Sequence, residues 1–251
     1  MSAPRVFKVT DGVYCVMRRS YFTCSYFVVR DDGLVAIDAG MKSSGTEMLE
    51  AIQQLHAKPT DVLAILLTHW HNDHAAGAMV LAKLSGASVY YSASEAGHLT
   101  RKTAATGLRA TLSALVPETG PLVLLKGLLG NAPQQAVEAT RFVQGGDVVA
   151  DDFEVIDTPG HTSGHVSYYY RPRRVLFAGD ALAVVRGRLR FMARPVAEDL
   201  QQARESMGRC LETPSDFICP GHREPLVRNV HAECQRMQNY LRERGKWPLL
   251  G

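Results

Sequence analysis

An α+β fold is predicted by two features of the sequence. Short apolar runs rich in β-branched and aromatic residues fill positions 6–40 and recur in the second half, and longer stretches of helical character lie between and after them. At 251 residues and 46% hydrophobic content, the chain supports one substantial core. No Pro/Ser-rich linker, charge run or repeat divides it, so residues 1–251 read as a single domain carrying a helical insertion at 94–142.

In chain order, Val6–Thr10, Val13–Met17, Cys24–Arg30 and Gly33–Gly40 are β-rich runs, with Asp-Gly turns at 11–12 and 32–33 joining them into an opening meander. A helix over 43–56 follows, then a buried strand at Asp61–Thr68, a helix over 75–85 and a strand from Ser88. The second half predicts strands at 153–157, 165–170, 175–178 and 216–219, with helices over 197–212 and 226–244. In the last helix Val230, Cys234, Met237 and Leu241 recur at three and four residues, which turns them to the core. In the insertion, Leu108, Leu112, Leu115 and Val116 share one side and an apolar run follows at 122–129. Such surface must be covered. It suits a lid over a pocket, with a substrate bearing an apolar moiety, or a homodimer contact.

Thr68-His69-Trp70-His71-Asn72-Asp73-His74 places four ligand-type side chains within six positions on a strand-to-helix loop. Folding does not require such a density of imidazoles, and the pattern points to metal. Residues two apart in an extended loop point the same way, so His69 and His71 can grip one ion. Asp73 and His74, in the first helical turn, can face a neighbouring position, with Asn72 or Asp73 placed to cap the helix. Three later strands each break at a glycine and deliver a further ligand type: Pro159-Gly160-His161, Gly179-Asp180 and Pro220-Gly221-His222. Glycine admits the tight or positive-φ backbone that lets the next side chain project from a sheet edge.

The order His-x-His-x-Asp-His, Pro-Gly-His-Thr-x-Gly-His, Gly-Asp and Gly-His resembles the metallo-β-lactamase superfamily from roughly Val13 to Pro225. The resemblance implies a four-layer αββα sandwich of two mixed sheets, with metals at one edge between them. By motif position His69, His71 and His161 would hold a first divalent metal, Asp73, His74 and His222 a second, and Asp180 would bridge them. Zinc is the first choice for such N/O ligands, and iron, manganese or cobalt also fit them. The implied reaction is hydrolysis by a metal-bridging hydroxide, since two cations lower the pKa of a shared water from near 16 towards 7. Asp73 would aim that hydroxide at an ester-, lactone- or thioester-type carbonyl. Asp38, in Ile37-Asp38-Ala39-Gly40, is similar to the family's Asp-x-Gly and reads as a support for the metal loop. His165 reads as a group behind the ligands, and Tyr168 and Tyr169 as candidates near His161 for protonating the leaving group. Arg188, Arg190 and Arg194 follow Asp180 and can hold an anionic substrate group.

Departures within the family narrow the reading. Flavodiiron-type members carry Glu where His71 stands, and β-CASP members are much longer. Glyoxalase II enzymes show Gly-Arg-x-Asp where Gly187-Arg188-Leu189-Arg190 stands here. Lactonase, thioesterase and phosphodiesterase or short-RNA nuclease chemistry remain, as does a mononuclear iron persulfide dioxygenase, which the full ligand set disfavours. A regulatory module would have lost ligands. The net charge, 28 − 25 = +3, is too small to indicate a nucleic-acid partner. The N-terminus lacks an apolar signal region and no run reaches membrane-spanning length, so a cytoplasmic enzyme acting on a small molecule is expected. Five cysteines without metal-type pairing fit buried thiols in a reducing compartment.

Overall fold

A computed structural model describes residues 3–18, 22–100, 135–243 and 246–247. Its first sheet has seven strands in sequence order. The strands β1 (Arg5–Thr10), β2 (Val13–Met17), β3 (Cys24–Arg30) and β4 (Gly33–Ile37) form the antiparallel meander. The strands β5 (Val62–Leu66), β6 (Ser88–Ser92) and β7 (Arg141–Val143) then add in parallel. The second sheet has the order β14-β11-β10-β9-β8. It consists of β8 (Val148–Val149), β9 (Phe153–Asp157), β10 (Val166–Tyr170), β11 (Val175–Gly179) and β14 (Phe217–Pro220), with only the β11–β14 pair parallel. A small hairpin, β12 (Ala183–Val185) and β13 (Arg188–Arg190), follows β11.

Side-chain alternation builds the layers. Val35 and Ile37 of β4, Ala64 and Leu66 of β5, and Val175 and Phe177 of β11 share a core cluster between the two sheets. Their sequence neighbours Leu34, Ala36 and Ile65 lie in a second cluster beneath the helices α1 (Thr46–Gln54) and α3 (Ala78–Ser85), which contribute Met48, Ile52 and Leu81. Leu176 and Ala178 lie in a third cluster with Met207 and Cys210 of α5 (Leu200–Glu212) and Val230, Cys234 and Met237 of α6 (Val230–Arg242). Period-two strands with both faces covered read as unbroken apolar runs, and helix, sheet, sheet and helix give the four layers. All five cysteines are free and buried, as expected.

Several boundaries differ from expectation for local reasons. The helix expected over 75–85 is two pieces, α2 (Asn72–Ala75) and α3, with Gly77 between them packed so closely on the Ala39 carbonyl that a Cβ would collide. The last helix starts at Val230 rather than 226, because Leu226 exchanges backbone hydrogen bonds with Ile218 at 2.8 and 3.1 Å. The helix expected from 197 starts at Leu200, where the Asp199 carboxylate caps it by accepting from Gln201 and Gln202 N–H groups at 2.9 and 3.0 Å. Of the segment 94–142, a short helix α4 (Ala96–Leu99) leads out and β7 leads back. The Val137 N–H donates to the Leu99 carbonyl at 2.8 Å, so both ends of the excursion meet beside β6. Residues 101–134, with the apolar stripe at Leu108–Val116 and the run at 122–129, lie outside the described residues. Among the described residues no helix is long and apolar enough to cross a membrane.

Candidate metal centre

Five chain breaks at one edge of the sandwich bring the expected ligands together. They follow β4, β5, β9, β11 and β14, and deliver Asp38, the 68–74 loop, His161, Asp180 and His222 in that order. His69 Nε2 lies 3.0 Å from His71 Nδ1, which in turn lies 2.9 Å from His161 Nε2. His222 Nε2 is 3.4 Å from Asp73 Oδ2 and 3.4 Å from Asp180 Oδ2, and His161 Nε2 is 3.3 Å from Asp180 Oδ2. His74 Nε2 lies 3.7 Å from Asp73 and 3.6 Å from Asp180 Oδ1. The donor atoms thus group as His69, His71 and His161; Asp73, His74 and His222; and His69, His74 and Asp180.

The hydrogen-bond network assigns the tautomers of several rings. The Thr68 backbone N–H and hydroxyl both donate to the Asp38 carboxylate, at 2.8 and 3.0 Å. The hydroxyl's single proton is therefore spent, and His69 Nδ1, 2.9 Å away, must donate to it, leaving Nε2 a lone pair facing the cluster. His74 Nδ1 likewise faces the acceptor-only Asp38 Oδ2 at 2.8 Å, which directs its Nε2 inward. Asp38 adopts φ 56°, a left-handed conformation that Asp tolerates, and this turn aims its carboxylate at both. His165 accepts the Asp180 backbone N–H at Nε2 (3.0 Å), so its Nδ1 donates to Thr158 Oγ at 2.8 Å. With both nitrogens engaged, His165 steadies the Asp180 loop and is not itself a donor to the cluster.

Electrostatics favour a cation here. Burial depresses His69 far below the ordinary imidazole range, and takes His71 to about 3 and His161 to about 4, leaving uncharged rings with free lone pairs. Burial alone would lower His74 too, but Asp73, Asp180 and Asp38 overcome it and raise it to about 9. Burial works against ionisation of Asp73 and Asp180, yet the surrounding imidazoles hold both carboxyls below the usual range. Buried His74 Nε2 and Asp180 Oδ1 also have no hydrogen-bond partner among the described residues. Neutral nitrogens, ionised carboxylates and orphaned atoms aimed at one another fit divalent ions.

Other expectations receive corrections. Neither Asn72 nor Asp73 caps α2: His71 occupies the cap position, and Asn72 Nδ2 donates to the Met41 carbonyl at 3.3 Å. Tyr168 is in the core between the sheets and donates to the Leu67 carbonyl at 2.9 Å, so its hydroxyl is committed to the fold. Tyr169 donates to the Pro214 carbonyl at 2.9 Å. The Arg188 guanidinium pairs with Glu233 of α6 at 3.3 Å, and Arg194 opens a short 3-10 turn, Arg194–Val196. One residue was missed altogether. Glu95 is buried between the 68–74 and 159–165 loops, where burial raises its carboxyl to about 6 against the hydrogen bonds it receives. Its only sequence signal is an acid immediately after a strand, which spacing alone does not link to either loop.

The sequence profile of the metallo-beta-lactamase superfamily matches residues 21–222. The chain belongs to that superfamily. It is 27% identical over 225 residues to a probable metallo-hydrolase, YflN, of Bacillus subtilis, covering 82% of each chain. It is 30% identical over 224 residues to a hydroxyacylglutathione hydrolase of Pectobacterium carotovorum, covering 85% of this chain and 68% of that one. A metallo-beta-lactamase family protein of Thermus thermophilus, TTHA1429, shares the fold, with a TM-score of 0.65 at 21% identity over 94% of this chain and 81% of that one. This member of the superfamily is a metal-dependent hydrolase.

Proposed function

We propose that the protein holds two divalent metals, with zinc the best match to its ligands, and hydrolyses the ester-, lactone- or thioester-type carbonyl of a small substrate. His69, His71 and His161 would hold one ion and Asp73, His74 and His222 the other, with Asp180 shared. The carrying observation is the convergence of neutral ring nitrogens and ionised carboxylates from separate loops, with His74 Nε2 and Asp180 Oδ1 lacking any other partner. The carbonyl substrate class is supported by the relative named hydroxyacylglutathione hydrolase. When bound, such a pair supplies a water acidified from near 16 towards 7 and an electrophile for the carbonyl oxygen.

The chain's own residues supply position and proton handling. Asp73 stays a carboxylate, receives the Thr23 hydroxyl at 3.4 Å, and presents an acceptor that can take a hydrogen bond from attacking water and aim it. Asp38 and His165 lock the rings and the Asp180 backbone, so the donors need little reorganisation. We read the whole chain as one domain built around this edge.

Metal quantification on protein purified without added metal, paired with lactone, thioester, β-lactam and phosphodiester substrates, tests this reading. Two ions per chain and turnover of a lactone or thioester are expected, with Asp73→Ala lowering kcat by about 10²–10⁴-fold. Two bound ions with no hydrolysis, turnover of phosphodiesters alone, or one iron per chain would each defeat it.

A further inference from the structure

The two loops that carry the first group of imidazoles come from different sheets: His69 and His71 follow β5, and His161 follows β9. Nothing in either sheet's hydrogen-bond ladder sets the distance between them. Glu95, at the end of β6, touches both. Its Oε2 accepts the Trp70 backbone N–H at 2.8 Å, and that peptide sits between His69 and His71. Its Oε1 accepts the Thr162 hydroxyl at 3.0 Å and the Gly164 N–H at 2.7 Å, just beyond His161. The side chain is 1% exposed. A Cβ at position 164 would lie 2.6 Å from Glu95 Oε1, so glycine there is what lets the carboxylate approach.

We propose that Glu95 is a positioning residue, a buried clamp whose carboxylate fixes the separation of the 69–71 and 161–164 loops and so pre-assembles the first metal half-site. This rests on the ligand assignment given under the proposed function. Three donors converge on two oxygens, which suits a carboxylate, an acceptor at every lone pair. A glutamine cannot replace it: whichever way its amide turns, the NH₂ faces the N–H of Trp70 or of Gly164. One loop is then released, and His71 Nδ1 and His161 Nε2 lose the constraint that holds them 2.9 Å apart. Partners that orient metal ligands typically contribute 10–100-fold in metal affinity.

The test is a Co²⁺ titration of chelator-stripped wild type, Glu95→Gln, Thr162→Val and His161→Ala, read by visible ligand-field bands and competition with a chelator. Thermal midpoints of the metal-free proteins are measured alongside. Glu95→Gln is expected to bind its tighter or weaker first-group ion about 10–100-fold less well, with shifted bands, in protein still folded at the titration temperature. A merely structural role lowers the metal-free midpoint while affinity and bands stay at wild-type values, and that result overturns the proposal. Should Glu95→Gln not fold, Thr162→Val decides: a several-fold loss of affinity supports the clamp, and wild-type affinity overturns it. Loss of an ion in His161→Ala with none in Glu95→Gln defeats the clamp alone. An His161→Ala protein that takes two ions like wild type defeats the ligand assignment, and the clamp with it.

Discussion

Asp38 shows how much of the centre depends on a residue that need never touch an ion. Its carboxylate receives the Thr68 N–H and hydroxyl and faces His74 Nδ1, so one buried group sets the tautomer of His69 through Thr68 and of His74 directly. Asp38→Asn keeps the volume but places an NH₂ against one of these donors, and a buried donor without an acceptor costs about 1–3 kcal/mol. The variant should therefore lose about that much stability in urea melts and retain metal about 10–100-fold less tightly after dialysis. Wild-type metal retention in a folded Asp38→Asn protein would show that the rings orient themselves without it. His165 has a similar but narrower task, since its one contact with the centre is the Asp180 backbone N–H.

Strand ends and their glycines divide the labour between aiming and clearance. Gly160 and Gly179 have φ 128° and 51°, the conformations expected where a strand must turn sharply to present the next side chain. Gly221 is not in that set; it is needed for space, because a Cβ there would run into Asp180 Oδ1 and lie 2.7 Å from His74 Cε1. Gly221→Ala should fold, since its backbone is ordinary, yet push Asp180 and His74 apart and drop metal content below two per chain by elemental analysis. A full complement of metal in that variant would contradict the packing argument. The strands, the ligand loops and the support role of Asp38 were legible because apolar periodicity and Gly-punctuated ligand motifs are local signals. The pieces that were not legible are set by contacts between distant segments: β8 and β12 are two and three residues long, and α2 breaks from α3 against the Ala39 carbonyl. Glu95 and the burial of Tyr168 were invisible for the same reason, because only the sheet order brings β6 and β10 beside the ligand loops.

The metal-free fold gathers charge and imidazole into a space where water cannot screen them, and its stability should carry that signature. His71 at about 3, His161 at about 4 and His165 at about 3 lie below the ordinary 6.5, mainly through burial. As pH falls below 6.5 the unfolded chain takes up these protons first, so stability drops with pH until the folded-state values are reached. His74 behaves in the opposite sense. Burial opposes its charge, but its three carboxylate neighbours raise it to about 9, so its contribution is complete below 6.5 and is lost as pH rises through 9. The two slopes meet near 6.5, and thermal melts of chelator-stripped protein should peak there and decline on both sides. Added Zn²⁺ reshapes the profile, because an ion binds only the deprotonated ligands and takes the place of the His74 proton. The alkaline decline should disappear, while the acid decline should steepen as protons expel the ion. At a free concentration 100 times its dissociation constant, each ion contributes about 2.7 kcal/mol of stability. A flat profile in stripped protein, or an alkaline decline that persists with saturating Zn²⁺, would show that the buried cluster is not what links folding to protons.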